Sequence, residues 1–238
     1  MKSISSIITV AILISACTKS AVDDDTTTQD KDQPVAGSWQ VDFFDDFDTF
    51  NPDNWQDQRI WVNDETHCYV PNGEFGTREV SEGTLKLKVV DSGEARSCDN
   101  FDKHGNQHPD TQYVAGRIAS KNRQEFIKGK WTARLRTLSN GEPSMFPAWW
   151  LLGAQNNESP VQEDDENICW PLTGSGEIDI FEHHGDHAKD RFTTGAIKSL
   201  GECDKGDWWT LRIDVDMDLN EYHEYLSLIH ISEPTRLQ

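Results

Sequence analysis

The sequence predicts an all-β domain built as an antiparallel β-sandwich. Apolar and polar residues alternate in several short segments, so that Leu85, Leu87 and Val89 share one face of one segment, and Ala133 and Leu135 share one face of another. Gly, Asn, Asp and Pro separate the segments, as is typical of turns between strands. No longer stretch has the helical period of about 3.6 residues. Strands with one apolar face bury that face against a second sheet.

The N-terminal segment predicts export. Residues 1–17 combine Lys2, an apolar stretch and the letters ISAC, which resemble a bacterial lipobox. They predict a lipoprotein signal peptide that is cleaved before Cys17, which then carries the lipid. Thr18 follows the cysteine, which resembles outer-membrane lipoproteins. We therefore expect an exported protein that is anchored to the bacterial outer membrane through Cys17, on its periplasmic side or at the cell surface.

Composition separates the rest of the chain into three parts. Residues 18–36 are acidic and almost without apolar side chains, and they predict a disordered linker. Residues 37–225 form the predicted β-domain. Residues 226–238 resemble the translation of a sequencing adapter, so we expect a non-native tail, and a domain that is incomplete because its C-terminal strands are missing.

Charge and aromatic content favour a neutral partner. The 238 residues include 22 Lys and Arg but 42 Asp and Glu, which gives a net charge of −20. Such a chain is not expected to bind nucleic acid, because a phosphate backbone requires a basic surface. No apolar run reaches the roughly 18 residues that a membrane-spanning helix needs. Nine Trp and ten Phe provide flat faces of the kind on which sugar rings stack.

The cysteines agree with an oxidising compartment. Without Cys17, four cysteines remain, and no C-x-x-C pair occurs that would suggest a zinc or redox motif. Four cysteines allow three pairings. Neighbours in sequence close the shortest loops, which favours the pairs Cys68–Cys98 and Cys169–Cys203.

The candidate chemistry lies in residues 176–182, with the sequence GEIDIFE. Side chains alternate along a strand, so Glu177 and Asp179 lie on one face and Ile178 on the other. Glu182 would fall on the opposite face from Glu177 unless a β-bulge adds one residue between Asp179 and Glu182. Three carboxyls would then share one patch, where mutual repulsion raises at least one pKa.

A protonated carboxyl beside an ionised one is the pair that glycoside hydrolysis uses. Acids occupy 42 of 238 positions, so this spacing of three acids is expected about once by chance. The aliphatic and aromatic residues between the acids, the preceding Gly176 and an aromatic strand upstream distinguish the segment from a solvated acidic strand.

Several motifs resemble glycoside hydrolase family 16. The GEIDIFE segment is similar to its bulged catalytic strand, and residues 146–153 (FPAWWLLG) are similar to its W-P-A-F-W-M-L-G segment. Further similarities are found in residues 63–69, 116–118, 129–134 and 222–225. The resemblance implies a concanavalin A-like jelly roll and an endo-acting hydrolase of O-glycosyl bonds, of the endo-1,3-β-glucanase kind.

The resemblance also implies site residues. Glu177 would be the nucleophile, Glu182 the general acid and then the general base, and Asp179 a hydrogen-bond partner of the nucleophile. Phe146 and Trp150 would be sugar platforms, and the weaker candidates for sugar contacts are Asn63 and Arg117. The reaction would retain the anomeric configuration.

The substrate stays open at this stage. Phe146 and His67 replace the Trp and Gln usual in laminarinases, and residues 195–198 (GAIK) lack a His common there. The alternatives to a laminarin-like or mixed-linkage β-glucan are an agar or carrageenan galactan, or a glycan-binding surface lipoprotein without catalysis.

No cofactor is required by this chemistry. A calcium ion on the convex face is possible by resemblance but cannot be assigned to residues. His183, His184, Asp186 and His187 could also suggest a metal, but adjacent residues of a strand point to opposite faces, so a polar cleft rim is the favoured interpretation. The expected partners are a polysaccharide and the outer membrane, and we expect a monomer.

Overall fold

The computed structural model describes residues 39–138, 145–156, 170–185 and 190–229, and the backbone of residues 8–13. Apart from one short 3-10 helix at Glu74–Gly76, the secondary structure of these residues is β. The strands are β1 (Ile8–Leu13), β2 (Gln56–Asp57), β3 (Cys68–Tyr69), β4 (Arg78–Val80), β5 (Leu85–Arg96), β6 (Thr111–Ala115), β7 (Ile118–Ala119), β8 (Gly129–Thr137), β9 (Ala148–Leu152), β10 (Glu177–Glu182), β11 (Arg191–Ser199), β12 (Gly206–Asp214) and β13 (His223–Ile229). The predicted all-β class is confirmed.

Two main sheets form the sandwich. The larger has the order β13-β8-β1-β5-β6-β3, with β4 also paired to β5. Its neighbouring strands are antiparallel except β3 and β6. The smaller sheet is antiparallel, with the order β12-β11-β10-β9. Strands β2 and β7 form a separate ladder.

The core lies between the two sheets. Ala133 and Leu135 of β8 are buried there, as the alternation predicts, together with Tyr225 of β13. Phe181 and Phe192 reach them from β10 and β11, and the rings of Phe181 and Tyr225 lie 4.7 Å apart. The inner face of β10 is therefore held against the larger sheet, which leaves its outer face for the acids.

The predicted disulfides are confirmed in part. Cys68 and Cys98, which are 30 residues apart, form a disulfide. Cys203 is also disulfide-bonded. Its predicted partner Cys169 lies outside the described residues.

Two segments that were predicted to lie outside the domain contribute strands to the larger sheet. Strand β1 lies inside the predicted signal peptide, yet it pairs with β5 and β8 in the middle of the larger sheet. Its Ile and Val residues have high β-propensity, which explains why the segment forms a strand. Strand β13 runs through residues 226–229 of the predicted tail before the described residues end. The cleavage before Cys17 and the non-native origin of the tail stay predictions, because Cys17 and residues 230–238 lie outside the described residues.

Across the part of the chain that the structure describes, no helix could cross a lipid bilayer.

Leu135 provides a test of the core. Its side chain is 1% exposed, whereas Leu226 on the neighbouring β13 is 51% exposed. We expect Leu135→Ala to lower the free energy of unfolding by about 2–5 kcal/mol, because it leaves a cavity between the sheets. The control Leu226→Ala should change it by less than about 0.5 kcal/mol. Urea unfolding measures both, and equal losses would contradict the assigned core.

Candidate active site

A β-bulge in β10 brings the three acids to one face. Asp179 pairs with Gly195 of β11, and Glu182 pairs with Thr193. Between these pairs β10 advances by three residues and β11 by two, so β10 contains one extra residue. The pairing with β9 shifts at the same place. The predicted bulge is confirmed, and it places the Glu182 side chain on the same face as Glu177 and Asp179.

Burial raises the pKa of all three carboxyls, because it removes water from their charged forms. For Glu177, burial is the largest cause, a hydrogen bond to Asp179 and the charges of Asp179 and Glu182 add to it, and Arg117 opposes it. Burial and then the charge of Asp179 raise the pKa of Glu182 to about 7, against a hydrogen bond from Thr193. Burial also raises the pKa of Asp179, against its hydrogen bond with Glu177.

Glu177 and Asp179 therefore hold protons as a pair rather than singly. The hydrogen bond between the two carboxyls raises the pKa of Glu177 and opposes the rise in the pKa of Asp179. An ionised Glu177, which the predicted role of a nucleophile demands, requires that the shared proton move to Asp179. Glu182, with a pKa of about 7, is protonated in mildly acidic solution, as a general acid must be.

Strand β11 supplies the support for these acids. Thr193 Oγ1 donates a hydrogen bond to Glu182 Oε2 at 3.2 Å. Gly195 lies opposite Asp179, and a Cβ there would lie 3.3 Å from Asp179 Oδ2 and 2.8 Å from the Trp209 carbonyl oxygen. The missing side chain at Gly195 thus provides the space that Asp179 occupies.

Trp150 and Arg117 adjoin the acids, as predicted for sugar contacts. Trp150 of β9 pairs with Asp179, and the Arg117 guanidinium lies 4.9 Å from the Trp150 ring centre. Arg117 Nε donates a hydrogen bond to Gln58 Oε1 at 2.6 Å, which fixes its orientation. Its positive charge acts on Glu177. The structure thus places an aromatic ring and a cation beside the carboxyls.

Three further residues join this group that the predicted site did not include. Arg117 lies 5.4 Å from the Tyr69 ring centre, and its charge also acts on Glu65 and His67. Burial, followed by the charges of His108 and Arg117, lowers the pKa of His67 to about 4, so its imidazole is neutral at neutral pH. The spacing of Glu65, His67 and Tyr69 by two residues is the signal that could have placed them together.

Phe146 and Asn63 are placed differently from each other. Phe146 precedes β9 near the Glu182 end, is 48% exposed, and its ring lies 4.4 Å from that of His184. It is available to a ligand at that end of the cleft. Asn63 lies exposed in a turn, with a φ of 53°.

Of the four residues after β10 that could suggest a metal, the structure describes His183 and His184. Within the described residues, no three His, Cys, Asp or Glu side chains are grouped so that they could hold a metal ion. His183 is buried and His184 contacts Phe146. Asp186 and His187 lie outside the described residues.

The raised pKa of Glu182 predicts a pH-dependent stability. Below its ordinary pKa of 4.5 the carboxyl is protonated in both the folded and the unfolded chain, so the folded state suffers no penalty there. Between pH 4.5 and about 7 the unfolded chain ionises this carboxyl while the folded chain still holds the proton, so stability is lost as pH rises toward the folded pKa. We expect Glu182→Gln, relative to wild type, to raise the melting temperature more at pH 8 than at pH 4.

The control for this measurement is Glu202→Gln, in the exposed turn between β11 and β12. An equal shift at both pH values for Glu182→Gln would contradict the burial of its charge.

No family model matches the sequence, and no curated protein matches it. Among solved structures, the chain is similar to a variant of LamA from Zobellia galactanivorans, in complex with laminaritriose and laminaritetraose. The TM-score is 0.61 and the identity 26%, over 76% of this chain and 70% of that chain.

Two further structures share the fold. The laminarinase catalytic domain from Thermotoga maritima has a TM-score of 0.57 and 23% identity, over 81% of this chain and 71% of that chain. A mixed-linkage-glucan family 16 protein from Bacteroides ovatus, in complex with an oligosaccharide product, has a TM-score of 0.53 and 20% identity, over 78% and 70%. With its bulged acidic strand and these neighbours, the chain has the laminarinase-like fold of glycoside hydrolase family 16.

Proposed function

We propose that this chain is an endo-acting glycosidase that cleaves β-glucan, either β-1,3-linked or of mixed linkage, by a retaining double displacement. The observation that carries the proposal is the bulged β10, which gathers three half-buried or buried carboxyls on one face beside Trp150 and Arg117. The fold and the similarity to LamA support a glycosidase of the endo-1,3-β-glucanase kind.

In the first step, Glu177 attacks the anomeric carbon while Glu182 donates its proton to the glycosidic oxygen. The bond from carbon to that oxygen breaks, and a glycosyl ester on Glu177 forms. With the shared proton on Asp179, the Asp179 carboxyl donates a hydrogen bond to Glu177 and holds the attacking oxygen. The raised pKa of Glu182 keeps its proton available for the departing sugar.

In the second step, the ionised Glu182 acts as the base. It takes a proton from a water molecule, whose oxygen attacks the anomeric carbon and displaces the Glu177 carboxylate. Two inversions at one carbon restore its original configuration. Arg117 favours the ionised form of Glu177, because its charge lowers that pKa, and so favours departure of the carboxylate.

A panel of polysaccharides tests the substrate class. We expect reducing ends to be released from laminarin, from lichenan or from both, and not from agarose or carrageenan. Release from agarose or carrageenan would contradict the glucan proposal in favour of a galactan hydrolase. Binding to any of them with no release would indicate a capture lipoprotein without catalysis.

Substitution of the carboxyls tests the mechanism. We expect Glu177→Ala and Glu182→Ala each to lower the rate of hydrolysis by at least about 100-fold while binding of the glucan persists. An aryl glycoside with an acidic phenol as leaving group should restore the first step in Glu182→Ala but not in Glu177→Ala, because such a group leaves without protonation. Glu202→Ala is the exposed control. Full hydrolysis by either active-site variant would refute the assignment.

The proposed location rests on the first 17 residues. Cleavage before Cys17 and lipidation there would anchor the enzyme to the outer membrane through the acidic linker, with the cleft free to meet polysaccharide. The same cleavage would remove β1 from between β5 and β8, so pairing of β1 and export are alternative fates of this segment. Mass spectrometry of the protein from the membrane fraction should find a lipid-modified chain beginning at Cys17. An intact Met1 in that fraction would contradict the proposal.

A further inference from the structure

Strand β12 carries a tryptophan on the catalytic face. Glu177 of β10 pairs with Ile197 of β11, and Ile197 pairs with Trp208 of β12. Paired residues of antiparallel strands project to the same face. Trp208 therefore lies on the same face as Glu177, while its neighbour Trp209 lies on the opposite face.

Trp208 lies near the three carboxyls but too far from them to contact the same sugar ring. Neighbouring strands are about 4.8 Å apart, so two strand spacings put the Trp208 backbone roughly 10 Å from that of Glu177. A sugar ring in contact with the three carboxyls does not cover this distance. A ring farther along the same chain, on the β11–β12 side of the cleft, does.

The Trp208 indole packs against neighbouring side chains and against the ring of Trp170. A Cβ at Gly206 would lie 2.7 Å from Pro171 Cγ, 3.0 Å from Trp208 Nε1 and 3.3 Å from Ile197 Cγ2, so these three groups meet over the bare glycine. The Trp170 ring meets Trp208 edge to face, with ring centres 5.1 Å apart and planes at 86°.

The turn before β12 is fixed as well. Cys203 is disulfide-bonded, and Asp204 accepts a salt bridge from Lys103 at 2.9 Å. Both contacts tie the turn that leads into β12, the strand that carries Trp208, to other parts of the chain. A preoriented side chain loses little conformational entropy on binding.

A neutral sugar ring is the ligand that fits the exposed face of Trp208. Trp208 is 59% exposed in spite of its contacts, so its ring is accessible to a ligand. Its face continues the floor that bears the carboxyls, through Ile197. The apolar C–H face of a neutral sugar ring matches a flat indole, whose N–H supplies a polar edge.

We propose that Trp208, oriented by Trp170 and Pro171, is a platform for an additional glucose ring of the substrate, on the β11–β12 side of the cleft. This inference rests on the proposed glucan hydrolase function. It makes Trp208 a determinant of chain length: long glucan segments reach it, and short ones do not.

The experiment measures binding of defined laminari-oligosaccharides of two to eight units by calorimetry. Because hydrolysis would consume the ligands, Glu177→Gln is the background. Trp208→Ala and Trp208→Phe are compared in it with Trp209→Ala, whose tryptophan is 56% exposed on the same strand but on the opposite face. Melting temperatures of all variants report on folding.

We expect the affinity to increase at the oligosaccharide length that reaches Trp208. Trp208→Ala should lower the affinity for ligands of this length or longer by roughly 3- to 10-fold, and it should not change the affinity for the shortest ligands. Trp208→Phe should retain most of it, and Trp209→Ala should leave it unchanged. Equal effects of Trp208→Ala on short and long ligands, or equal effects of the two Trp→Ala variants, would overturn the proposal.

Failure of the underlying function is distinguishable from failure of this inference. If wild type releases no reducing ends and Glu177→Gln binds no laminari-oligosaccharide of any length, the glucan function itself is refuted, and the platform with it. If hydrolysis and binding are present but the length dependence does not involve Trp208, only the platform is refuted.

Discussion

One extra residue in β10 is the constraint on which the rest of the structure depends. Ile180 and Phe181 are successive residues, yet both are buried, at 6% and 1% exposure. The bulge lies at these residues, because the pairing of β10 with both of its neighbours shifts between Asp179 and Glu182. Phe181 stacks on Phe192 and meets Tyr225 edge to face, which holds this part of β10 in the core. Packing in the core thus determines that Glu182, rather than its neighbours, turns toward Glu177.

Burial has opposite effects on stability and on chemistry. The sandwich gains stability from the apolar face of β10, but the outer face of the same strand holds three carboxyls whose pKa values rise because water is removed. Charges that are poorly solvated weaken the folded state. The same poor solvation keeps a proton on Glu182 near neutral pH and makes its transfer to a sugar oxygen easier. Arg117 limits the penalty at Glu177 without removing it.

The sequence was informative where a pattern has a fixed period and uninformative where the backbone departs from one. Alternation identified Leu85, Ala133 and Leu135 as core, and the spacing of the acids required the bulge. Asn63 and Asp64 are successive left-handed residues in an exposed turn, and the sugar contact expected of Asn63 stays a prediction. Alternation could have predicted that Glu65, His67 and Tyr69 lie together beside Arg117. The role of β1 was not predicted either, because an apolar segment carries the same pattern as a leader and as a central strand.

Electrostatics makes a neutral polysaccharide the better match for this cleft. A net charge of −20 repels a sulfated chain, and at physiological salt this repulsion acts mainly within about 8 Å of the surface. At short range, a sulfate near Glu177, Asp179 and Glu182 would raise their pKa values further, so that ionisation of the nucleophile would become harder. Arg117 cannot offset both effects, because it already faces Glu177, Glu65 and the Trp150 ring. The proposed neutral glucan imposes neither penalty, and it would bind through stacking and hydrogen bonds, for which Trp150 and Arg117 are the candidates.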